Sequence, residues 1–262
     1  MSSLKPTTAI TTLALLVLLY LQIPVIVVVL ASFSETTYLT IPPQGVTLKW
    51  YEQVLSVPTY LRAIRNSLIL AVISTVLSLV LGVAAAYGLF RRVIPGSEAI
   101  ISVLMAPLVV PSVVIGVAML QYVTLVGLRG SFLALIIAHV VITVPYILRS
   151  VLASLSGLDT SVEEAARCLG ADGWTTFRLV TLPLIRPGLV AGGLFAFVTS
   201  MENVPVTIFL AGAKQTTLPI LIFSSVEMGV NPAVAAVSTL LIIATAVILL
   251  LAERWAGFHK FA

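Results

Sequence analysis

The chain has 262 residues, 60% of them apolar and 9% charged, where an ordinary soluble domain carries roughly 25% charged residues, so a soluble globular protein is excluded. A mean hydropathy of +1.16, with apolar runs longer than the roughly 18 residues that mark a spanning helix, places most of the chain in a bilayer. The formal charge is +4, but the basic residues stand singly between apolar runs without the stripe that nucleic acid needs; a lone Cys168 excludes an intrachain disulfide or a Cys-based zinc site, and the distant His139 and His259 add no metal-ligand cluster.

In chain order, spans are predicted at residues 8–31, 63–90, 99–124, 131–149, 188–210 and 233–252, each close to or above the roughly 20 residues that cross the hydrocarbon. The fold class is therefore all-α and polytopic, with residues 1–262 forming one transmembrane domain. A membrane barrel is excluded because the apolar runs are continuous rather than alternating. The first span follows Lys5 and ends at Val29-Leu30-Ala31-Ser32, which loosely resembles a signal cleavage site. A signal's apolar region runs only about 7 to 15 residues, so this span is expected to be retained.

Six spans put both termini on one side of the membrane. With both cytoplasmic, Lys5, Arg91, Arg92, Arg149, Arg167, Arg178, Arg186, Arg254 and Lys260 lie inside, and Lys49, Arg62, Arg65, Arg129 and Lys214 outside; the positive-inside rule favours that orientation. Pro107 and Pro111 in the third span, and Gly192-Gly193 in the fifth, permit bends or close backbone approach, although ordinary packing accounts for both. His139 in the fourth span reads as a proton relay or, more simply, as a histidine hydrogen-bonded inside the bundle.

Between the fourth and fifth spans, residues 150–187 form the longest and most charged connection. Val162, Ala165, Ala166 and Leu169 recur at i, i+3, i+4 and i+7, one apolar face of a short helix. Ser161 with Glu164 has the spacing of a capping box. Glu163 and Arg167 are spaced for an i, i+4 pair, and Gly170 for a left-handed stop. A second short helix is predicted from Asp172, carrying Trp174, Phe177 and Val180 and ending before Pro183 and Pro187. Such a hairpin either docks into a groove on a partner or packs on the protein's own membrane base.

No enzyme signature is found: no G-x-S-x-G, H-E-x-x-H or C-x-x-C. The lysines follow Leu4, Leu48, Ala213 and His259, whereas a phosphate-cradling P-loop needs glycine directly before its lysine. The chain has no nucleotide site of that kind and no expected cofactor. Its energy must come from an ion gradient or from another subunit.

Glu164-Ala165-Ala166, then Gly170, then Val180-Thr181-Leu182-Pro183, resembles the EAA motif of permease subunits in bacterial binding-protein-dependent ABC importers, with valine where isoleucine is usual. The segment Ile41 to Tyr51, together with Asn66-Ser67-Leu68 and Thr217-Leu218-Pro219-Ile220, resembles the spermidine/putrescine importer group. The resemblance implies a type I importer permease fold in the bacterial inner membrane. It implies a coupling helix over 159–173 that docks on the ATP-binding subunit through Glu163, Glu164, Ala165, Ala166, Arg167, Leu169 and Gly170. The implied partners are that ATPase, which binds the ATP, a second permease, homologous or identical, and an external solute-binding protein. The implied cargo is a polyamine or other small amine-bearing solute.

Acids within a bilayer cost about 2.5 to 3.5 kcal/mol near a helix centre on insertion scales, which makes each a functional candidate. Glu202 lies about 14 residues, or roughly 21 Å, into a span beginning at Gly188. With Thr199, Ser200 and Asn203 beside it, it is the candidate lining of the solute pathway; pairing with another subunit, or snorkelling to the interface, is the alternative. Polyamine permeases often carry two acids hereabouts, and this chain has Glu-Asn. Residues 211–232 are too short to span and read as an interfacial or re-entrant segment. A stand-alone ion-coupled secondary transporter is the competing function; it would need inverted repeats and an ion site, and neither is visible.

Overall fold

The computed structural model describes residues 8–38, 42–91, 95–229 and 232–256. Lys5, Arg92, His259 and Lys260, together with Ile41 and Asn231, lie outside the described residues. Every regular element among the described residues is helical. The helices are α1 (Thr8–Ala31), α2 (Lys49–Ser56), α3 (Pro58–Phe90), α4 (Ser97–Met105), α5 (Ser112–Leu125), α6 (Phe132–Ser156), α7 (Ser161–Cys168), α8 (Gly173–Thr176), α9 (Leu182–Leu184), α10 (Arg186–Glu202), α11 (Thr207–Leu210), α12 (Leu218–Met228) and α13 (Pro232–Ala256). A 3-10 turn, Ala106–Leu108, follows α4, and a π-helical turn, Phe177–Thr181, links α8 to α9. Helix is the form that hydrocarbon permits, because it satisfies each backbone N–H and C=O within its own segment.

Helices α1, α3, α6 and α13 are long and apolar enough to cross a membrane. Two further crossings exist only as bent pairs: Ser97–Leu108 with Ser112–Leu125, at 102°, and Gly173–Leu184 with Arg186–Glu202, at 70°. Counting each pair once gives six spans. The third expected span is thus interrupted near its middle, where Pro111 cannot donate a helical hydrogen bond and disfavours helical backbone in the residue before it. The fifth, expected over 188–210, ends at Glu202, and the chain turns before α11. The fourth continues to Ser156, so residues 150–156, expected in the loop, are helical.

Two compact units emerge, residues 1–61 with 222–244, and residues 62–221 with 245–262. In the first, α1 is an apolar rod whose side chains from Ile10 to Leu21 are largely exposed, as suits a helix facing lipid. The chain after it is pinned by three consecutive residues of α2. The Lys49 ammonium donates to the Glu35 carbonyl at 2.6 Å, Trp50 Nε1 donates to the Ser34 carbonyl at 2.7 Å, and the Tyr51 hydroxyl meets that of Ser32 at 2.6 Å. The Lys49-Trp50-Tyr51 motif therefore closes its own loop.

In the second unit α6 is the spine. One apolar cluster gathers Leu70, Ile115, Val123, Leu135, Ile142 and Val206; another gathers Leu89, Ile147, Leu148, Val151, Ile185 and Ala196. Helix α10 packs on α6 through glycine: a Cβ at Gly192 would stand 2.9 Å from Ile147 Cα, and one at Gly188 only 2.6 Å from the Ser150 carbonyl oxygen. Lipid tails are as apolar as leucine, so helices associate in a membrane through this kind of close backbone approach and through buried hydrogen bonds. One such bond joins Ser78 of α3 to Thr143 of α6 at 2.7 Å.

Candidate functional site

The connection over residues 157–185 folds as the predicted hairpin, with its details rearranged. Gly170 takes φ +89°, the left-handed stop that its position requires. Asp172 caps the second helix, its Oδ1 accepting from the Thr175 N–H at 2.7 Å. The helical path runs through Pro183 and breaks at Ile185 instead; Pro187 then falls in the first turn of α10, where a missing N–H costs nothing. The expected Ser161/Glu164 capping box does not form. Ser161 is already inside α7, and its N–H is taken by Asp159 Oδ1 at 2.9 Å. Asp159 and Asp172 are both held below the usual carboxylate range by hydrogen bonds, from Ser161 and Thr175 respectively.

Helix α7 is turned the opposite way from an amphipathic helix packed on its own protein. Its buried residue is Glu163, 7% exposed, while the apolar stripe looks outward, with Val162 at 45% and Leu169 at 90% exposure. The 100° step between residues explains how one helix does both, because it turns Glu163 roughly 100° to 160° away from Val162, Ala165 and Leu169. Glu164, Ala165, Arg167 and Gly170 are also exposed, and Ala166 is half-buried. Of the seven residues expected in the docking face, Glu163 is the one that is buried. Nor does Glu163 pair with Arg167. Its Oε2 takes an ion pair from Arg91, just past the end of α3, and its Oε1 accepts from the buried Thr181 hydroxyl. Arg91 also donates to the Tyr87 hydroxyl at 3.3 Å, and its guanidinium lies 5.2 Å from the centroid of that ring. Partial burial opposes the Arg91 charge; the Tyr87 hydrogen bond and the Glu163 carboxylate outweigh it, and the pKa stands above its ordinary value.

The polar cluster on α10 is divided among three tasks. Ser200 is buried and meets His139 Nδ1 at 2.7 Å; His139 Nε2 meets the Thr207 hydroxyl at 2.9 Å. The Thr207 proton is donated to the Asn203 carbonyl at 2.6 Å, so Thr207 accepts from Nε2–H and Ser200 donates to Nδ1. His139 thereby fastens the turn that follows α10. Asn203 ends the helix, its Oδ1 accepting from the Val206 N–H at 2.9 Å. Thr199 is half-buried and Glu202 is exposed as the last residue of α10, so a residue expected somewhat beyond the middle of a longer span stands at the helix end. Among the described residues no basic side chain pairs with Glu202. A carboxylate there adds to the negative end of the helix dipole, a position that favours a cation.

Two motifs far apart in sequence meet in space. Asn66 Nδ2 donates to the carbonyls of Thr216 and Lys214 at 3.0 and 3.2 Å, and Ser67 Oγ accepts from the Leu218 N–H at 2.8 Å. Asn66-Ser67 therefore anchors the loop leading into Thr217-Leu218-Pro219. Spacing did not reveal the roles of Arg91, Thr181 and Thr207, since their partners lie 72, 18 and 68 residues away. Among the described residues no group of three or more His, Cys, Asp or Glu could hold a metal ion.

A family model described as the binding-protein-dependent transport system inner membrane component matches residues 78–259. The spermidine/putrescine transport system permease protein PotC of Haemophilus influenzae is 32% identical over 234 residues, covering 89% of this chain and 91% of that protein. The putrescine transport system permease protein PotI of Escherichia coli is 34% identical over 240 residues, covering 87% and 84%. Among solved structures, a bacterial ABC transporter involved in the import of the acidic polysaccharide alginate aligns with a TM-score of 0.73 at 18% identity, over 97% of this chain and 99% of that one; it shares the fold.

Proposed function

We propose, for a chain that belongs to the family of binding-protein-dependent transport system inner membrane components, the uptake of a polyamine or another small amine-bearing solute. The chain is a multi-pass inner-membrane permease of an ABC importer, neither an enzyme nor a secondary transporter. It acts as one permease domain over residues 1–262, a reading supported by a family match that takes in residues from both compact units. Both termini are cytoplasmic. The chain pairs with a second permease, homologous or identical, and receives solute from an external binding protein. ATP is bound by the partner ATPase, and this chain carries no cofactor of its own.

The observation that carries the coupling role is the outward apolar stripe of α7. A short helix that exposes Leu169 and Val162 and buries a glutamate is built for a groove on another protein. Glu164, Ala165, Ala166, Arg167, Leu169 and Gly170 form the docking face. The cargo class is supported by the likeness to PotC and PotI and by the exposed Glu202 carboxylate at the negative end of α10.

The test is reconstitution in lipid discs with the second permease, the ATPase and candidate binding proteins, reading ATP hydrolysis as putrescine or spermidine is added. Stimulation by either polyamine is expected. Glu202→Gln is expected to raise the polyamine concentration needed for half-maximal uptake about tenfold, the equivalent of ~1.4 kcal/mol, with assembly unchanged. Wild-type behaviour of Glu202→Gln would remove Glu202 from the pathway.

A further inference from the structure

We propose that Glu163 is a positioning residue that makes the hairpin and the end of α3 one mechanical body, so that Arg91 and Thr181, rather than the docking face, pass movement of α7 into the membrane helices. This rests on the reading that α7 docks on the ATPase.

Three chain segments meet at one carboxylate. Each Glu163 oxygen has its own partner, Arg91 on Oε2 and Thr181 on Oε1, and the group is nearly shut off from solvent. Arg91 is held in turn by Tyr87 one helical turn earlier. Tyr87 packs edge-on against Phe177 at 4.9 Å, and Phe177 against Trp174 at 5.7 Å. The contact thus has an ionic half and an aromatic half, both joining the end of α3 to the hairpin. Thr181 directly precedes α9 and the bend into α10, and α10 packs closely on α6 at Gly188 and Gly192. A push on α7 therefore reaches α3 through Arg91 and α10 through Thr181. A helix retained only for docking would have no need of a buried charge, whose isolated cost is high and which persists only when paired and hydrogen-bonded.

The test places nitroxide labels at Thr160→Cys and Leu81→Cys, both exposed positions, in a Cys168→Ser background, in the importer assembled with its ATPase. With Glu163 intact, the distance distribution is expected to be narrow and unchanged on trapping with ATP and vanadate, because α7 and α3 move together. Glu163→Gln is expected to widen it at least twofold. The exchange Arg91→Glu with Glu163→Arg remakes the ion pair but leaves the Thr181 hydroxyl without its acceptor, so it is expected to narrow the distribution to that of Thr181→Val, which a loss of folding would not permit. Thr181→Ser, which keeps the hydroxyl, is expected to behave as wild type, and Thr181→Val to widen the distribution. A narrow distribution in Glu163→Gln, or an exchange that fails to narrow it again, overturns the proposal. A separate arm, Leu169→Asp, reads copurification of the ATPase. Retention there sinks the docking reading and leaves the label distances to decide the link.

Discussion

Helix α10 carries two adjacent glycines with opposite surroundings, which permits an internally controlled test of the packing. A methyl group at Gly192 would stand 2.9 Å from Ile147 Cα and 3.1 Å from Ser150 Cβ, whereas one at Gly193 would meet only the methyls of Leu79 at 3.6 Å. The first obstacle is backbone and cannot rotate away; the second is ordinary contact with the end of a flexible side chain. Replacing glycine by alanine inside a helix gains up to ~1 kcal/mol of propensity at either site, so propensity cancels when the two variants are compared. Overpacking a close contact costs about 1–3 kcal/mol. Gly193→Ala is therefore expected to be neutral or stabilised by up to ~1 kcal/mol, and Gly192→Ala to fall below it by about 1–3 kcal/mol. The assay is reversible unfolding of the purified chain in mixed micelles titrated with sodium dodecyl sulfate, followed by helical circular dichroism. Gly188→Ala, facing the Ser150 carbonyl oxygen at 2.6 Å, should be at least as unstable as Gly192→Ala. Equal midpoints at 192 and 193, or the reverse order, would show that α6 and α10 do not cross at these glycines.

His139→Leu should destabilise by about 1–2 kcal/mol in the same titration, because buried Ser200 loses its partner and Thr207 keeps only the Asn203 carbonyl; no loss would refute the network. Ser67→Ala should speed hydrogen exchange at the Leu218 amide about tenfold, the equivalent of ~1.4 kcal/mol for a buried bond; unchanged protection would remove Ser67 as its acceptor. For Asp172 the folded pKa is depressed, so its stabilisation is present above the ordinary aspartate value of about 3.9 and is lost as pH falls through the lower folded value. Exchange at the Thr175 amide, corrected for the intrinsic rate, should therefore accelerate on acidification below about pH 4. Asp172→Asn should abolish that acceleration, and a variant that keeps it would locate the titrating group elsewhere.

Much of the architecture was legible because a bilayer enforces it. Apolar runs such as Ile10–Ala31 in α1, or Leu68-Ile69-Leu70-Ala71-Val72-Ile73 in α3, leave hydrocarbon-facing backbone only one way to satisfy its polar groups, and α1 ends where composition places it. The left-handed Gly170 and the Asp172 cap were equally readable, since each acts on residues within three or four positions of itself. The breaks near Pro111 and at Ile185 were only half visible, because proline is tolerated in spanning helices when neighbours satisfy the freed groups.

The candidate site divides along the same line. Local spacing determined by itself that an amphipathic helix stops at Gly170, that a second short helix follows from Asp172, and that Glu202 is an acid set among apolar neighbours. Tertiary structure alone decided which way α7 faces, that Glu163 belongs to Arg91 and Thr181 rather than to Arg167, and that Ser200 serves His139. The physical reason is range. Periodicity and capping are governed by a 100° step and by hydrogen bonds between near neighbours, whereas a buried carboxylate or imidazole takes whichever partner the packing of distant helices brings to it, 72 residues away for Glu163 and 61 for His139.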